Sequence, residues 1–463
     1  MEHGLTRYNP AIEGLERDQL LDLQWRKLRY QLAWLVERNP FYAARLRNAG
    51  IEPHTIRSID EFRERVPFCD KGDLLADQQV HPPFGSRLGV RPDQVVMTYL
   101  TSGTSGVGQE VYGHTWSDAI LSGTKYLEGP LYWIGLRKGD RIFAMTPVAT
   151  LAFGLMVMET FRLAGFQPFE VFTMPSAAKL ELMQRFPPHA LVITPVHLAR
   201  LTMICADQGI DQRESYSTLK GILIAGQAYP TELAARCEEA WGTKLFETYG
   251  SSQGNGHMAT TCEYGAVTPE GGRGGMHIYE HRILLEVLDP DTGEHVSPGE
   301  EGMAVVTSLE EEGSPLLRFR TNDRVRYLGH GCPCGRSWAM IEAGTVSRFD
   351  EMVKVRGMNI WPQAVDGVVF ARSEIDEYVA DVYVDDQELE RIHLRYALTE
   401  EARLAMGDVA RQQLGYELVQ SLKVRTNVTF DLSEVSRSEL PVFEFKAVRW
   451  TDTRQQDLMR KVW

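Results

Sequence analysis

The sequence predicts an α/β protein. A large N-terminal domain of stacked, mostly parallel sheets carries a small β-rich subdomain, and a small α+β cap follows it. Three observations carry that reading. From about residue 95 to 250, short apolar runs alternate with helical patterns, the signature of strands joined by covering helices. Between residues 278 and 328 the pattern changes to β-rich runs separated by turns. The last hundred residues read as a separate strand–helix–strand unit, with the break near Phe349 and Asp350. The expected division is therefore 1–348 and 349–463, with the β-rich section at about 278–328.

The elements follow in order. Residues 19 to 38 read as an amphipathic helix, because Leu21, Trp25, Leu28, Leu32 and Leu35 recur at three- and four-residue steps. Arg141 to Met145, Ala190 to Ile193 and Gly221 to Ile224 look like buried strands, with a helix expected from Thr231 to Trp241. Ile283 to Leu288, Gly302 to Leu309 and Arg324 to Leu328 are β-rich, broken by turns such as Asp289-Pro290-Asp291-Thr292-Gly293. That section is expected to be antiparallel or barrel-like. In the cap, Glu377 to Val384 predicts a strand, Thr399 to Leu422 a helix and Val424 to Leu432 another strand.

Bulk properties exclude several classes. The chain has 463 residues, 43% hydrophobic and 24% charged, enough to bury a large core without staples. Its formal net charge of −14 argues against nucleic-acid binding, which needs clustered Lys and Arg. No run approaches the length of a membrane-spanning helix. Met1-Glu2-His3-Gly4 does not open a signal peptide. Six cysteines are no disulfide scaffold in so long a chain, and the expected compartment is the reducing cytoplasm.

Chemistry concentrates in a few segments. Tyr99-Leu100-Thr101-Ser102-Gly103-Thr104-Ser105-Gly106 packs hydroxyls and glycines directly after the apolar run Val95-Val96-Met97. Consecutive N–H groups and hydroxyls in such a loop can cradle a phosphate, and glycine permits close approach. The loop lacks the G-x-x-x-x-G-K-[ST] spacing, and a flexible surface loop is the other reading. Asp323, after Arg320-Thr321-Asn322, could accept two hydrogen bonds from a ribose diol or serve as a turn aspartate. Tyr249, in Glu247-Thr248-Tyr249-Gly250-Ser251-Ser252-Gln253, offers a flat face for adenine or a core aromatic. Cys332-Pro333-Cys334-Gly335 forms a C-x-C knuckle, with Cys262 and His277 upstream. Three thiolates and an imidazole match the ligand count of a closed structural zinc site. A glycine-rich turn with incidental thiols is the alternative, and His257 and His330 are runner-up ligands. Cys69, Cys205 and Cys237 read as packing residues.

The order and separation of these segments, with Arg348-Phe349-Asp350-Glu351-Met352, Gly357-Met358-Asn359 and Lys446, resemble the adenylate-forming superfamily of acyl-CoA synthetases. Within it the likeness is to the phenylacetate–coenzyme A ligase family. Asn39-Pro40-Phe41-Tyr42, Pro67-Phe68-Cys69-Asp70-Lys71-Gly72-Asp73 and Arg356 through Pro362 resemble further segments of that family.

The resemblance implies ATP-dependent activation of an aryl or arylacetic acid to an acyl-adenylate, then transfer to coenzyme A as co-substrate. It implies Lys446 and Arg348 as catalytic cations and Asp350 as the hinge of a mobile cap. Ser102, Gly103, Thr104, Ser105, Gly106, Gly226, Gln227, Tyr249, Gly250, Ser251 and Asp323 would bind ATP or AMP. Phe153, Ala228 and Tyr229 would line the acid pocket, with Ile193-Thr194-Pro195-Val196-His197 beside it. Some family members carry zinc in the segments of Cys262, His277, Cys332 and Cys334. No membrane or nucleic-acid partner is expected, and a homodimer is the assembly the family allows.

Two positions depart from the pattern. Val107 stands where the family's loop carries a lysine, and Gln253 where its Tyr-Gly motif ends in a magnesium-holding glutamate. An amide is a weak magnesium ligand. Either the metal rests on ATP, water and hydroxyls such as Thr104, or adenylation is slow, or the chain has moved toward another reaction. Two alternatives stay open: an adenylating enzyme that serves an amine, an alcohol or a carrier-protein thiol, and a catalytically weak nucleotide-binding protein.

Overall fold

A computed structural model describes residues 7–101, 108–146, 152–356, 358–385, 389–443 and 447–454, with the side chains of residues 152, 153, 155, 156, 350 and 359 outside that description. The helix Arg17–Arg38 buries Leu20, Gln24, Leu28, Gln31, Leu32 and Leu35. Its seam thus lies one residue from the Leu21 and Trp25 expected from apolar periodicity. The reason is polar. Gln24 Nε2 donates to the carbonyls of Glu280 and Ile283 at 3.0 and 3.1 Å, and Gln31 Nε2 donates to that of Glu311 at 2.8 Å. Buried amides satisfied in this way can replace apolar residues on a core face.

Strands β1 (Met97–Leu100) and β2 (Val111–His114) form an antiparallel hairpin. Strands β3 (Arg141–Ala144), β4 (Gln167–Glu170), β5 (Ala190–Ile193), β6 (Gly221–Ala225) and β7 (Leu245–Ser251) are parallel, in the order β4-β3-β5-β6-β7. Helices Ala152–Leu163, Ser176–Arg185, Pro195–Asp207 and Thr231–Trp241 lie between them in sequence. Every residue of β5 is buried, as expected for a parallel strand covered on both faces.

The sheet continues through antiparallel neighbours: β8 (Gly256–Thr261), β9 (Gly275–Ile278), β10 (Ile283–Leu288), β11 (Glu301–Ser308), β12 (Phe319–Gly329) and β13 (Met340–Glu342). Strand β14 (Ser347–Arg348) pairs with β12 and completes a 12-stranded sheet. The β-rich section thus takes the antiparallel of the two expected forms and extends the parallel sheet.

Beyond Arg348 lie a hairpin, β15 (Val353–Val355) and β16 (Met358–Ile360), and a four-stranded sheet. That sheet contains β17 (Ile375–Val384), β18 (Glu390–Leu398), β19 (Asp431–Glu434) and β20 (Trp450–Asp452), in the order β19-β18-β17-β20. Val355, Val365, Tyr378, Ile392, Leu418 and Phe430 belong to an apolar core of this section alone.

Three local expectations are corrected here. The helix expected over Thr399–Leu422 is two, Glu400–Ala405 and Asp408–Thr426, because Gly407 adopts extended N-cap geometry between them. The strand expected over Val424–Leu432 is only β19, since Val424 to Thr426 complete the helix and Asn427 ends it at φ +58°. Strand β18 was not expected. Its polar–apolar alternation, Arg391-Ile392-His393-Leu394-Arg395-Tyr396, was overlooked; the outward arginines are paired, Arg395 with Asp381 on β17 at 2.9 Å and Arg391 with Asp385 just beyond it at 2.7 Å. Among the described residues, no helix is long and apolar enough to cross a membrane.

Candidate active site and metal centre

Parallel strands place their C-terminal ends on one edge, and ligands of open α/β sheets bind in the crevice outside that edge. Met145 follows β3, Thr194 follows β5, Gly226, Gln227 and Ala228 follow β6, and Tyr249 to Ser251 end β7. Gly226 takes φ +92°, a conformation suited to glycine. A side chain at Gly250 would stand 2.4 Å from the Gly256 carbonyl oxygen. The side-chain oxygen of Gln227 is buried and accepts no hydrogen bond among the described residues.

Strand β7 sends Phe246 to one core and Leu245 and Tyr249 to the other. The Tyr249 hydroxyl donates to Asp323 Oδ2 at 2.6 Å. Arg348 Nη1 reaches Asp323 Oδ1 at 3.2 Å, because the two residues stand opposite one another on β14 and β12. The Asp323 N–H donates to Thr321 Oγ1 at 3.0 Å. Burial, then the Asp323 charge, raises the Tyr249 phenol well above its ordinary value. Tyr249, Asp323 and Arg348 thus form one connected group, and Tyr249 enters it through its hydroxyl.

Glu247, two residues earlier, was not singled out by sequence. Its Oε2 accepts from the Tyr229 hydroxyl and the Gly344 N–H, both at 2.6 Å. Burial pushes its carboxyl up to about 7, against the hydrogen bonds from Tyr229 and Gly344. The Tyr229 N–H donates to the Gly344 carbonyl at 3.2 Å, and Arg273 binds the Tyr229 carbonyl at 3.1 Å. Tyr229 is therefore a fixed, buried post, and Ala228 beside it is half-buried. Phe153 lies on the helix Ala152–Leu163. Lys179 Nζ lies 3.3 Å from His197 Nε2 at the start of the helix Pro195–Asp207. Burial and the Lys179 charge hold the His197 imidazole down at about 4.

A third group stands at the neck of the β1–β2 hairpin. Glu110 is fully buried. Its Oε2 accepts from Thr101 Oγ1 at 2.6 Å and meets Lys71 Nζ at 3.2 Å. Its Oε1 receives Gln253 Nε2 at 3.4 Å. The turn that carries Gln253 is held from below, where Lys125 Nζ donates to the carbonyls of Gly254 and Asn255 at 3.3 and 3.4 Å. Ser251 Oγ accepts from the Gly254 N–H at 3.0 Å. Sequence reading did not single out Glu110, the buried acid that closes this glycine–hydroxyl loop. Residues 102–106, with Val107, and Lys446 lie outside the described residues, as do the side chains of Phe153 and Asp350.

Away from that edge, one ligand atom each from Cys262, His277, Cys332 and Cys334 falls within 4.8 Å of the others. Cys262 and Cys332 sulfurs are 3.7 Å apart, and Cys334 Sγ is 3.3 Å from His277 Nε2. Tetrahedral zinc with bonds of about 2.3 Å sets its sulfurs roughly 3.8 Å apart, so donor set and spacing both fit that ion. Trp133, Tyr279 and Trp338 pack around the cysteines. The two runner-up histidines stand elsewhere. His257 contacts Thr248 and the Tyr126 ring, and His330 is exposed. Burial raises the thiols of Cys69, Cys205 and Cys237 to about 12, 11 and 11, as packing residues require.

The chain belongs to the AMP-binding enzyme family, whose pattern matches residues 43–308, more than half of its length. It is similar to the phenylacetate-coenzyme A ligase of Thermus thermophilus, 28% identical over 395 residues that cover 85% of this chain and 84% of that one. The phenylacetate-coenzyme A ligase of Escherichia coli K12 is 24% identical over 451 residues, 97% of this chain and 98% of that one. Among solved structures, a 2-hydroxyisobutyryl-CoA ligase in the postadenylation state aligns at a TM-score of 0.87 and 22% identity, over 100% of this chain and 95% of that one. In its thioesterification state the same ligase aligns at 0.69, with 22% identity over 99% and 95%. A benzoate CoA ligase from Burkholderia xenovorans LB400 gives 0.57 and 18% identity over 78% and 68%.

Proposed function

We propose that the protein joins a carboxylic acid to coenzyme A through an acyl-adenylate made from ATP, and that the acid is aryl or arylacetic. The observation that carries the reading is Asp323, held between the Tyr249 hydroxyl and Arg348 beside the C-terminal end of β7. Its carboxylate would take the ribose hydroxyls. The unpartnered oxygen of Gln227 fits a donor on adenine, and Gly226, Gly250 and Ser251 allow close approach of the nucleotide. The Ser102–Gly106 loop would take the phosphates. Arg348 and Lys446 would stabilise charge that builds on the α-phosphate as the carboxylate attacks and pyrophosphate leaves. A divalent cation accompanying ATP would neutralise the remaining phosphate charge, and zinc at the cysteine cluster would be structural. The curated relatives named as phenylacetate-coenzyme A ligases support the acid class, and Ala228, Tyr229 and Phe153 would form its wall.

A second reading has its own observation. The Lys179–His197 pair brings polar groups to the first turn beside β5, which suits an acid with a hydroxyl substituent. Pyrophosphate release over arylacetic, benzoic and hydroxy-substituted acids, with and without coenzyme A, tests both. Release with arylacetic acids, and thioester formed only with coenzyme A, is the expected outcome. Release confined to aliphatic hydroxy acids favours the second reading. Release without any thioester from added coenzyme A overturns the transfer step.

A further inference from the structure

We infer that Glu13 is a positioning residue of the cysteine–histidine metal centre: paired with Arg336, it holds Trp133 against His277 and closes residues 9–15 over the cysteines. The inference rests on the zinc reading above and deepens it.

Glu13 ends the short helix Pro10–Glu13 and is buried. A carboxylate taken out of water needs charge partners and donors. Glu13 draws them from separate stretches of the chain. Its Oε1 accepts from the Asn9 N–H at 2.8 Å. Its Oε2 accepts from Arg336 Nε at 2.9 Å and from the Trp133 indole N–H at 3.1 Å. Arg336 Nη2 stands 2.8 Å from the same oxygen. Arg336 is itself buried, two residues past Cys334, and its Nη1 donates to Glu263 Oε2, beside Cys262, at 2.8 Å. Its guanidinium also lies 4.0 Å from the centre of the Trp133 ring. One buried cation thus ties Glu13 to residues next to two of the candidate ligands.

Trp133 carries the contact to a third. Its ring meets that of His277 edge to face, with centroids 6.1 Å apart. His277 turns Nε2 to Cys334, and its buried Nδ1 has no hydrogen-bond partner among the described residues. A ligating histidine is ordinarily oriented by a hydrogen bond at its second nitrogen. Here packing takes over that task. The wall it packs on is an indole pinned at its N–H by Glu13 and at its face by Arg336. The same segment covers the cluster. Ile12 and Leu15 pack on the apolar group that holds Cys262 and Cys334. The Leu15 carbonyl accepts from Ser337 Oγ at 2.7 Å.

The test reads the metal directly. Zinc-loaded full chain is mixed with an excess of a chromophoric chelator, and the rate of zinc transfer is followed. A cobalt-loaded sample gives a visible ligand-field spectrum, which responds to the orientation of the ligands. Glu13→Ala is expected to transfer zinc at least about tenfold faster, the scale at which loss of a metal ligand's supporting partner is felt, and to change the cobalt spectrum. Glu13→Gln keeps an acceptor oxygen and is expected to recover most of the difference. Trp133→Phe removes the indole N–H but keeps the Glu13–Arg336 pair, and it covers the case in which Glu13→Ala does not fold. It is expected to move rate and spectrum in the same direction. Glu377→Ala breaks a pair in the cap, where Arg449 Nε donates to Glu377 at 2.7 Å, and controls for stability lost elsewhere. An unchanged rate and spectrum in Glu13→Ala or in Trp133→Phe, with only the melting temperature lowered, would make Glu13 a structural acid and overturn the inference alone. Equal acceleration in Glu377→Ala would do the same. A wild-type chain that takes up neither zinc nor cobalt overturns the zinc reading and this inference with it.

Discussion

Both carboxylate oxygens of Asp323 are engaged, one by Tyr249 and one by Arg348, in the arrangement that would meet a ribose. The Tyr249 hydroxyl therefore orients the acceptor, which a stacking ring alone would not do. Tyr249→Phe keeps the ring and removes the donor, and nucleotide binding is expected to weaken by about 1 kcal/mol, the usual net worth of one hydrogen bond. If Phe binds nucleotide as tightly as the wild type while Tyr249→Ala binds poorly, the ring alone matters. Glu247 makes a separate prediction. Its carboxyl is raised to about 7 in the folded protein from 4.5, so the folded state holds the proton more tightly than the unfolded chain. The stability it contributes is complete below about pH 4.5 and is lost as pH rises through 7. Thermal melts of wild type and Glu247→Gln should nearly coincide at pH 5 and diverge by pH 8, with the variant the more stable; parallel curves would show that Glu247 stays charged throughout. Tyr249, Asp323 and Arg348, which the structure brings together, were named from the sequence because each lies in a segment that resembles the family's. Glu247 and Glu110 were not, because partners distant in the chain define them: Gly344 is 97 residues from Glu247, and Gln253 is 143 from Glu110.

The cysteine knuckle works at the scale of elements. Cys262 leaves β8, His277 lies in β9, and Cys332 and Cys334 follow β12, so one ion would tie three stretches of a single sheet. Cys262 and Cys332 are 70 residues apart, and closing so long a loop restricts the unfolded chain. Purified protein is expected to hold near-stoichiometric zinc by elemental analysis. Cys332→Ser with Cys334→Ser should release it and lower the melting temperature before activity per folded molecule changes. Metal-free wild-type protein of the same stability would remove zinc from the account. The four residues that the structure brings together were named from residue type alone, although no spacing rule joined them. Strand–helix alternation likewise exposed β3, β5 and β6, whose runs are short and wholly apolar. It failed at β18 and at Gly407. At β18 a plain polar–apolar alternation, Arg391 to Tyr396, was present and overlooked, and at Gly407 a single glycine outweighed a continuous helical pattern over Thr399–Leu422.

At the scale of the molecule, two apolar cores lie on either side of the segment Phe349–Glu351. Phe349 meets Trp361 edge to face at 5.7 Å, the Arg324 guanidinium lies 4.4 Å from the Trp361 ring, and Arg236 Nη2 donates to the Phe370 carbonyl at 3.4 Å. Our reading is that residues 349–463 turn about Asp350 as a cap and carry Lys446 to the nucleotide for the first half-reaction only. Two variants separate the halves. Lys446→Ala should lower pyrophosphate release by about 100-fold or more, the cost of losing one preorganised charge contact, yet leave thioester formation from supplied acyl-adenylate near the wild-type rate. Asp350→Pro stiffens the pivot by fixing φ and should spare the half-reaction that matches the locked arrangement while lowering the other. Were Lys446→Ala to release pyrophosphate normally, the lysine would have no part in adenylation. If both variants slowed both halves equally, the cap would be a fixed wall of the site, and a turn about Asp350 would have no place in the reaction.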